Sequence, residues 1–167
     1  MNTSMNRKEL LEKLRNSANS LDRLATPDTP SELLNFRPSL EDAWTIQEHL
    51  IHILDSEMSL FLRIRQAVAE PGLEVRTGSS LENWKQKFDH SEQSAEDSIE
   101  AFKRIHSIAY KLLKGFEERD WSEFFVQHPK RGKQTLDDIA GIVAEHIDFH
   151  LELIERNEKL WRESKGQ

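Results

Sequence analysis

The stretch TLDDIAGIVAEHIDFHLELIERN, Thr135–Asn157, begins with a helix start and carries one long amphipathic face. Thr135 is a good N-cap residue, and Asp138 stands three positions on, where a capping box places its partner. At about 100° per residue, Ile139, Val143, His146, His150, Leu153 and Asn157 fall on one side of this helix. Leu136, Ala140, Ile147, Ile154 and Trp161 widen that apolar stripe, while Glu145, Asp148, Glu152, Glu155 and Arg156 lie mostly elsewhere. The stripe must pack against other elements, and it contains two histidines four residues apart. Side chains at that spacing sit about 5–6 Å apart at Cβ, close enough for two imidazoles to converge on one ion. Two core histidines, each bonded to a neighbour, fit the pair as well.

Working outward, helical periodicity dominates the chain. A first helix is expected from about Arg7 to Ala25 on Leu10, Leu14, Ala18, Leu21 and Leu24, ended by TPDTP at 26–30. SELLNFRPSLEDA is a linker with room for one helical turn. A second helix starts at Thr45, with Glu48 as its capping-box partner, and runs to about Glu70 before EPG. The segment 73–89 reads as a loop with a short helix around Leu81–Phe88. A third helix, about Ser91 to Glu118, carries Ala95, Ile99, Phe102, Ile105, Ala109, Leu112 and Phe116. RDWSEFFVQHPKRGKQ is a connection in which EFFVQ is briefly extended, and the fourth helix continues to about Glu163. Four long amphipathic helices with no credible sheet predict an all-α protein, a four-helix bundle forming a single domain over residues 1–167.

Composition narrows the function classes. Among 167 residues, 23 Lys and Arg face 30 Asp and Glu, a net charge of −7. Without a basic run, that charge argues against nucleic acid as a partner. No cysteine is present, which removes disulfides, thiolate metal sites and a cysteine nucleophile. No apolar run is long enough to span a bilayer, so no membrane partner is expected. MNTSMNRKELLEKL lacks the apolar core of a signal peptide, and a cytoplasmic location is the expectation.

The second helix supplies further candidates. Its apolar residues Ile46, Leu50, Ile53, Leu54, Phe61, Ile64 and Val68 cover most of the circumference. The remaining polar arc holds His52, Asp55, Ser56, Ser59 and Arg63, with His49 at its border. Such an arc borders a wet cleft or is simply a solvated face. Geometry alone does not choose between His49 and His52.

WTIQEHLIHILDSE, followed by HPKRGKQTL at His128–Leu136 and the H-x-x-x-H pair His146 and His150, resembles the DinB/YfiT-like superfamily. The resemblance extends from about Leu34 to Arg156. It implies the four-helix bundle of that family, many of whose members are described as metal-dependent hydrolases. It selects His52 over His49 and implies His52, His146 and His150 as ligands of one divalent ion. Three imidazoles with open positions are the pattern of a catalytic zinc site. Zinc or nickel is expected first, with iron and manganese also suited to imidazole. Such an ion lowers the pKa of bound water toward about 7, or holds a thiol as thiolate. The implied function is therefore hydrolysis, or transfer dependent on a low-molecular-weight thiol, acting on a small-molecule substrate. The alternative is a non-catalytic bundle that acts through its surface, with a structural or lost metal site. A homodimer fits either reading.

Ligating histidines need acceptors behind them. Asp55, one turn after His52, is the candidate orienter or general base; Glu145 and Asp148 flank the pair on the fourth helix. Glu57 is spaced to be a buried carboxylate with a local partner, and His90 and His106 read as structural or exposed. The basic loop HPKRGK reads as an ordinary turn ahead of a contact for an anionic substrate. There is no H-E-x-x-H, no paired E-x-x-H of di-iron bundles, no phosphate-binding glycine loop and no G-x-S-x-G.

Overall fold

The computed structural model describes residues 5–26, 28–75, 84, 87–90 and 93–166. Four helices form the bundle: α1 (Arg7–Ser17), α2 (Ile46–Ala69), α3 (Ala95–Gly115) and α4 (Leu136–Ser164). α2 packs between α3 and α4, and α1 closes the ring against the same two helices. The starts of α2 and α4 lie where their boxes place them. Thr45 and Glu48 exchange side-chain and backbone bonds at one, Thr135 and Asp138 at the other. Each box satisfies N–H groups that the first helical turn leaves without intrahelical partners.

The first helix is shorter than its apolar stripe predicts. It ends at Ser17, and the chain passes through a turn into a short 3-10 segment, Asp22–Leu24. Ser17 Oγ bonds Leu14 O and Ser20 Oγ bonds Ser17 O, so local side-chain bonds take carbonyls that the helix would use. Leu21 and Leu24 still reach the core. The linker turn forms at Ser31–Leu34. The short helix expected at Leu81–Phe88 falls largely outside the described residues.

The connection before α4 contains a two-stranded antiparallel hairpin, β1 (Phe125–His128) and β2 (Gly132–Thr135), where no sheet is expected. Gly132 turns it with φ +72°, a left-handed conformation that glycine adopts without penalty. Four-residue strands are too short for an alternating pattern to stand out. The hairpin packs on α2 and leads directly into Thr135, so it fixes where α4 begins.

The core runs through all four helices and includes Leu14, Leu50, Ile64, Phe102, Leu113, Ile139 and Ile154, with Trp121 buried beneath the hairpin connection. One buried polar node interrupts it. Glu57 Oε1 lies 2.9 Å from His106 Nδ1, and both side chains are 2% exposed. His106 Nε2 lies 2.7 Å from Leu14 O and 3.1 Å from Ser17 Oγ. The node ties α1, α2 and α3 together. It gives Glu57 its local partner and His106 its structural place. No helix among the described residues is long and apolar enough to cross a membrane.

Candidate metal centre

Antiparallel packing of α2 on α4 sets the register of the site. Asn157 Nδ2 donates to Trp44 O at 2.7 Å and pins the end of α4 to the start of α2. About three turns back along α4, His146 faces His52: their Nε2 atoms are 3.1 Å apart. His150 completes the group, and one ring nitrogen from each of the three histidines lies within 4.8 Å of the others. No other set of three His, Cys, Asp or Glu side chains among the described residues offers such a cluster.

The chemistry of these donors fits a metal. Zinc bonds of about 2.0–2.1 Å at tetrahedral angles hold ligand nitrogens roughly 3.3–3.4 Å apart, close to the His52–His146 separation. Two imidazole nitrogens that face each other at 3.1 Å need either a shared proton or a shared cation between them. Two of the rings, His146 and His150, are held neutral, as ligation requires. Burial lowers the pKa of His146. Burial, followed by the other histidines, lowers that of His150 to about 2.

His49 is part of the arrangement, though not as one of the three. It is 2% exposed, and its Nδ1 lies 2.9 Å from Nδ1 of His150. Only one of the two can carry the proton. Ser56, also buried, places Oγ 3.3 Å from His146 Nε2 and 3.5 Å from His52 Nε2.

The cluster opens on a cavity of about 430 Å³ between the start of α2 and the middle of α4. Trp44, Phe149 and Leu153 form its apolar wall, and Arg156, Glu41 and Asp42 stand among its polar lining. Trp44 meets His52 edge-on, with ring centroids 5.0 Å apart. Asp42 has φ +53°, in the left-handed region that Asp tolerates better than most residues.

The DinB superfamily sequence model matches residues 8–154. The chain belongs to the DinB superfamily. A protein of Oceanobacillus iheyensis, named "Putative metal-dependent hydrolase", is 26% identical over 108 residues, covering 65% of this chain and 61% of that protein. A Geobacillus kaustophilus protein of the same name is 27% identical over 128 residues, or 77% of this chain and 71% of that one. The match to the first relative thus spans less than two thirds of its length. YfiT from Bacillus subtilis, described as "a probable metal-dependent hydrolase with an unusual four-helix bundle topology", superposes with a TM-score of 0.81. The superposition covers 95% of this chain and 91% of YfiT at 18% identity, and it shows the shared fold.

Within this DinB fold the expected orienters are placed elsewhere. Asp55 is half-buried and makes no hydrogen bond to the three rings among the described residues. Burial raises its carboxyl pKa, and His90 opposes the shift. Glu145 is exposed, and Asp148 pairs with Lys13 on α1. The ring behind His150 is His49. Sequence weighed His49 only as a rival ligand, because its contact depends on how α2 registers against α4. Ser56 was legible as a member of the polar arc but not as a neighbour of two rings.

Proposed function

We propose that this chain is a mononuclear metal-dependent enzyme in which His52, His146 and His150 hold one divalent ion, with zinc or nickel the first expectation and iron or manganese next. The observation that carries the reading is the meeting of three imidazoles from α2 and α4 in the lining of a 430 Å³ cavity. A closed structural site would not need that opening, so the cavity favours an enzyme over a bundle that acts only through its surface. A bound divalent ion supplies Lewis acidity and a lowered pKa to a coordinated water or thiol.

The chain's own residues supply the rest. With His150 ligating through Nε2, its Nδ1 carries the proton and donates to Nδ1 of His49, which fixes the ring's tautomer and orientation. The Ser56 hydroxyl stands beside the Nε2 atoms of His52 and His146, where it can hold a proton of an attacking group. Trp44, Phe149 and Leu153 bury the apolar part of a small-molecule substrate and keep bulk water away. Arg156 meets an anionic group at the rim. Asp55, with its raised pKa, is suited to act as a general base if a water links it to the site. The reaction is hydrolysis or transfer to a low-molecular-weight thiol. Elemental analysis of protein purified without an affinity tag, followed by turnover assays with and without added thiol, tests this reading. A chain that binds no divalent ion when offered zinc and nickel would refute it.

A further inference from the structure

The three-histidine cavity carries charge of both signs in its lining. Arg156 lines it from α4, and Glu41 and Asp42 line it from the loop before α2. The clamp between the two helices brings these charges to one place. Asn157 Nδ2 donates to Trp44 O at 2.7 Å and seats that loop beside the last turns of α4.

Arg156 is held in position. Its Nε and Nη2 donate to Asn157 Oδ1 at 3.3 and 3.0 Å. Asn157 is fully buried, so the guanidinium hangs from a fixed point. Its Nη1 bonds no described residue. A guanidinium carries five N–H donors in a rigid fork, and most of these remain for a ligand.

Opposite charges in one cavity would ordinarily neutralise each other, and here they do not. Among the described residues no carboxylate pairs with Arg156, and no cation pairs with Glu41 or Asp42. Arg37 bonds the same loop at Ala43 O, 2.6 Å away, yet gives its other end to Glu48 at 2.8 Å. The chain has seven more acidic than basic side chains, so an arginine without a carboxylate is not explained by scarcity. The apolar wall is also left open. Phe149 is 56% exposed, a large ring that a bound molecule would cover.

Resting on the enzymatic reading above, we propose that the cavity takes a dipolar substrate, an amino acid or short peptide. Its carboxylate meets Arg156, its protonated amine meets Glu41 and Asp42, and its apolar body covers Phe149 and Trp44. A planar carboxylate matches the guanidinium fork. A phosphate dianion fits less well, because two carboxylates share the cavity with one guanidinium. A simple amine would leave Arg156 unanswered, and a simple carboxylate would leave the two acids unanswered. A volume of about 430 Å³ is within the range of small-molecule sites. The two ends are unequal. Arg156 is half-buried, whereas Glu41 and Asp42 are exposed and screened by water, so the carboxylate should contribute more than the amine.

Calorimetric titration of the full chain with L-phenylalanine and with alanyl-phenylalanine near pH 7 tests the site. Metal is first removed by chelation, because an ion would itself hold an amino acid. Saturable binding of at least one of the two, at one per chain, is expected. Converting the carboxylate to an amide should weaken it about tenfold or more, and acetylating the amine about two- to fivefold. Arg156→Gln should bind the acid and its amide equally. Arg156→Lys keeps the charge without the fork, should lose less, and keeps the test valid if Arg156→Gln folds poorly. The double variant Glu41→Gln with Asp42→Asn should bind the free amine and its acetyl form equally; Asn tolerates the left-handed backbone of position 42. No saturable binding of either compound, neutral derivatives as tight as their parents, or wild-type preferences in the variants overturns the proposal. Zinc retention after dialysis reads the ion separately, so failure here is distinguishable from failure of the three-histidine reading.

Discussion

Replacing His106 by leucine should destabilise the bundle far more than an ordinary surface change, and the structure says why. Nδ1 of His106 faces the Glu57 carboxylate at 2.9 Å, and Nε2 faces the Leu14 carbonyl at 2.7 Å. Both of those partners accept, so the ring donates from both nitrogens and is the imidazolium. Burial works against this charge. The hydrogen bond and charge of Glu57 and the Leu14 carbonyl outweigh it and raise the pKa. His106→Leu leaves Glu57 buried with no counter-charge, a loss of about 3–5 kcal/mol for one partner of a buried pair. At roughly 2–4 °C per kcal/mol for a chain of this size, the melting temperature should fall by about 6–20 °C. The double variant Glu57→Leu with His106→Leu should recover most of the loss, since buried pairs exchange for apolar residues at little net cost. The sign with pH follows from a raised folded pKa. The contribution of His106 is fully present below its unfolded pKa of about 6.5 and fades as pH rises through the higher folded value. Urea unfolding should therefore show wild type losing stability between pH 6 and pH 9 relative to the double variant, which carries neither titrating group. A single-variant loss below about 1 kcal/mol at pH 6, or a wild type that gains on the double variant as pH rises, would refute the ion-pair reasoning.

Two further substitutions probe the metal centre and its frame. His49→Phe keeps ring volume but removes the partner of His150 Nδ1, so zinc affinity by competition titration should drop about 10–100-fold while the ion still binds. Unchanged affinity would mean that His49 does not orient His150. Asn157→Leu breaks the 2.7 Å bond to Trp44 O and frees Arg156, which bonds Asn157 Oδ1 through Nη2 at 3.0 Å. Asn157 is fully buried, so denaturant unfolding should show a loss of about 1–3 kcal/mol; no loss would mean that the α2–α4 clamp is dispensable.

The parts of the fold that were legible in the sequence are those written into a few adjacent residues. Thr45 with Glu48 and Thr135 with Asp138 fix the starts of α2 and α4 because a capping box needs only four positions. The apolar stripes named the core faces because a 3.6-residue period repeats over five or more turns. The end of α1 was misread because the leucine spacing continues past Ser17, while Ser17 and Ser20 turn their hydroxyls onto the backbone. EFFVQ was legible as extended and Pro129 and Gly132 as turn residues, but the pairing of the two strands was not, because strands of four residues show no period. At the site, the resemblance picked out the three histidines that meet. Their surroundings depend on how two helices far apart in sequence slide past each other. No local pattern encodes the His49–His150 contact or the place of Ser56 beside two rings, and the same ignorance of register made Asp55 look like the natural orienter.

The metal content of untagged protein, with and without the fourth-helix ligand, tests the functional reading most directly. Wild type offered zinc and nickel and then dialysed should retain one divalent ion per chain. His150→Ala should lose it while keeping its helical circular dichroism, because the leucine and isoleucine stripes hold the bundle. A wild type that retains no ion, or a His150→Ala variant that keeps a stoichiometric one, would contradict the assignment of His52, His146 and His150 as its ligands.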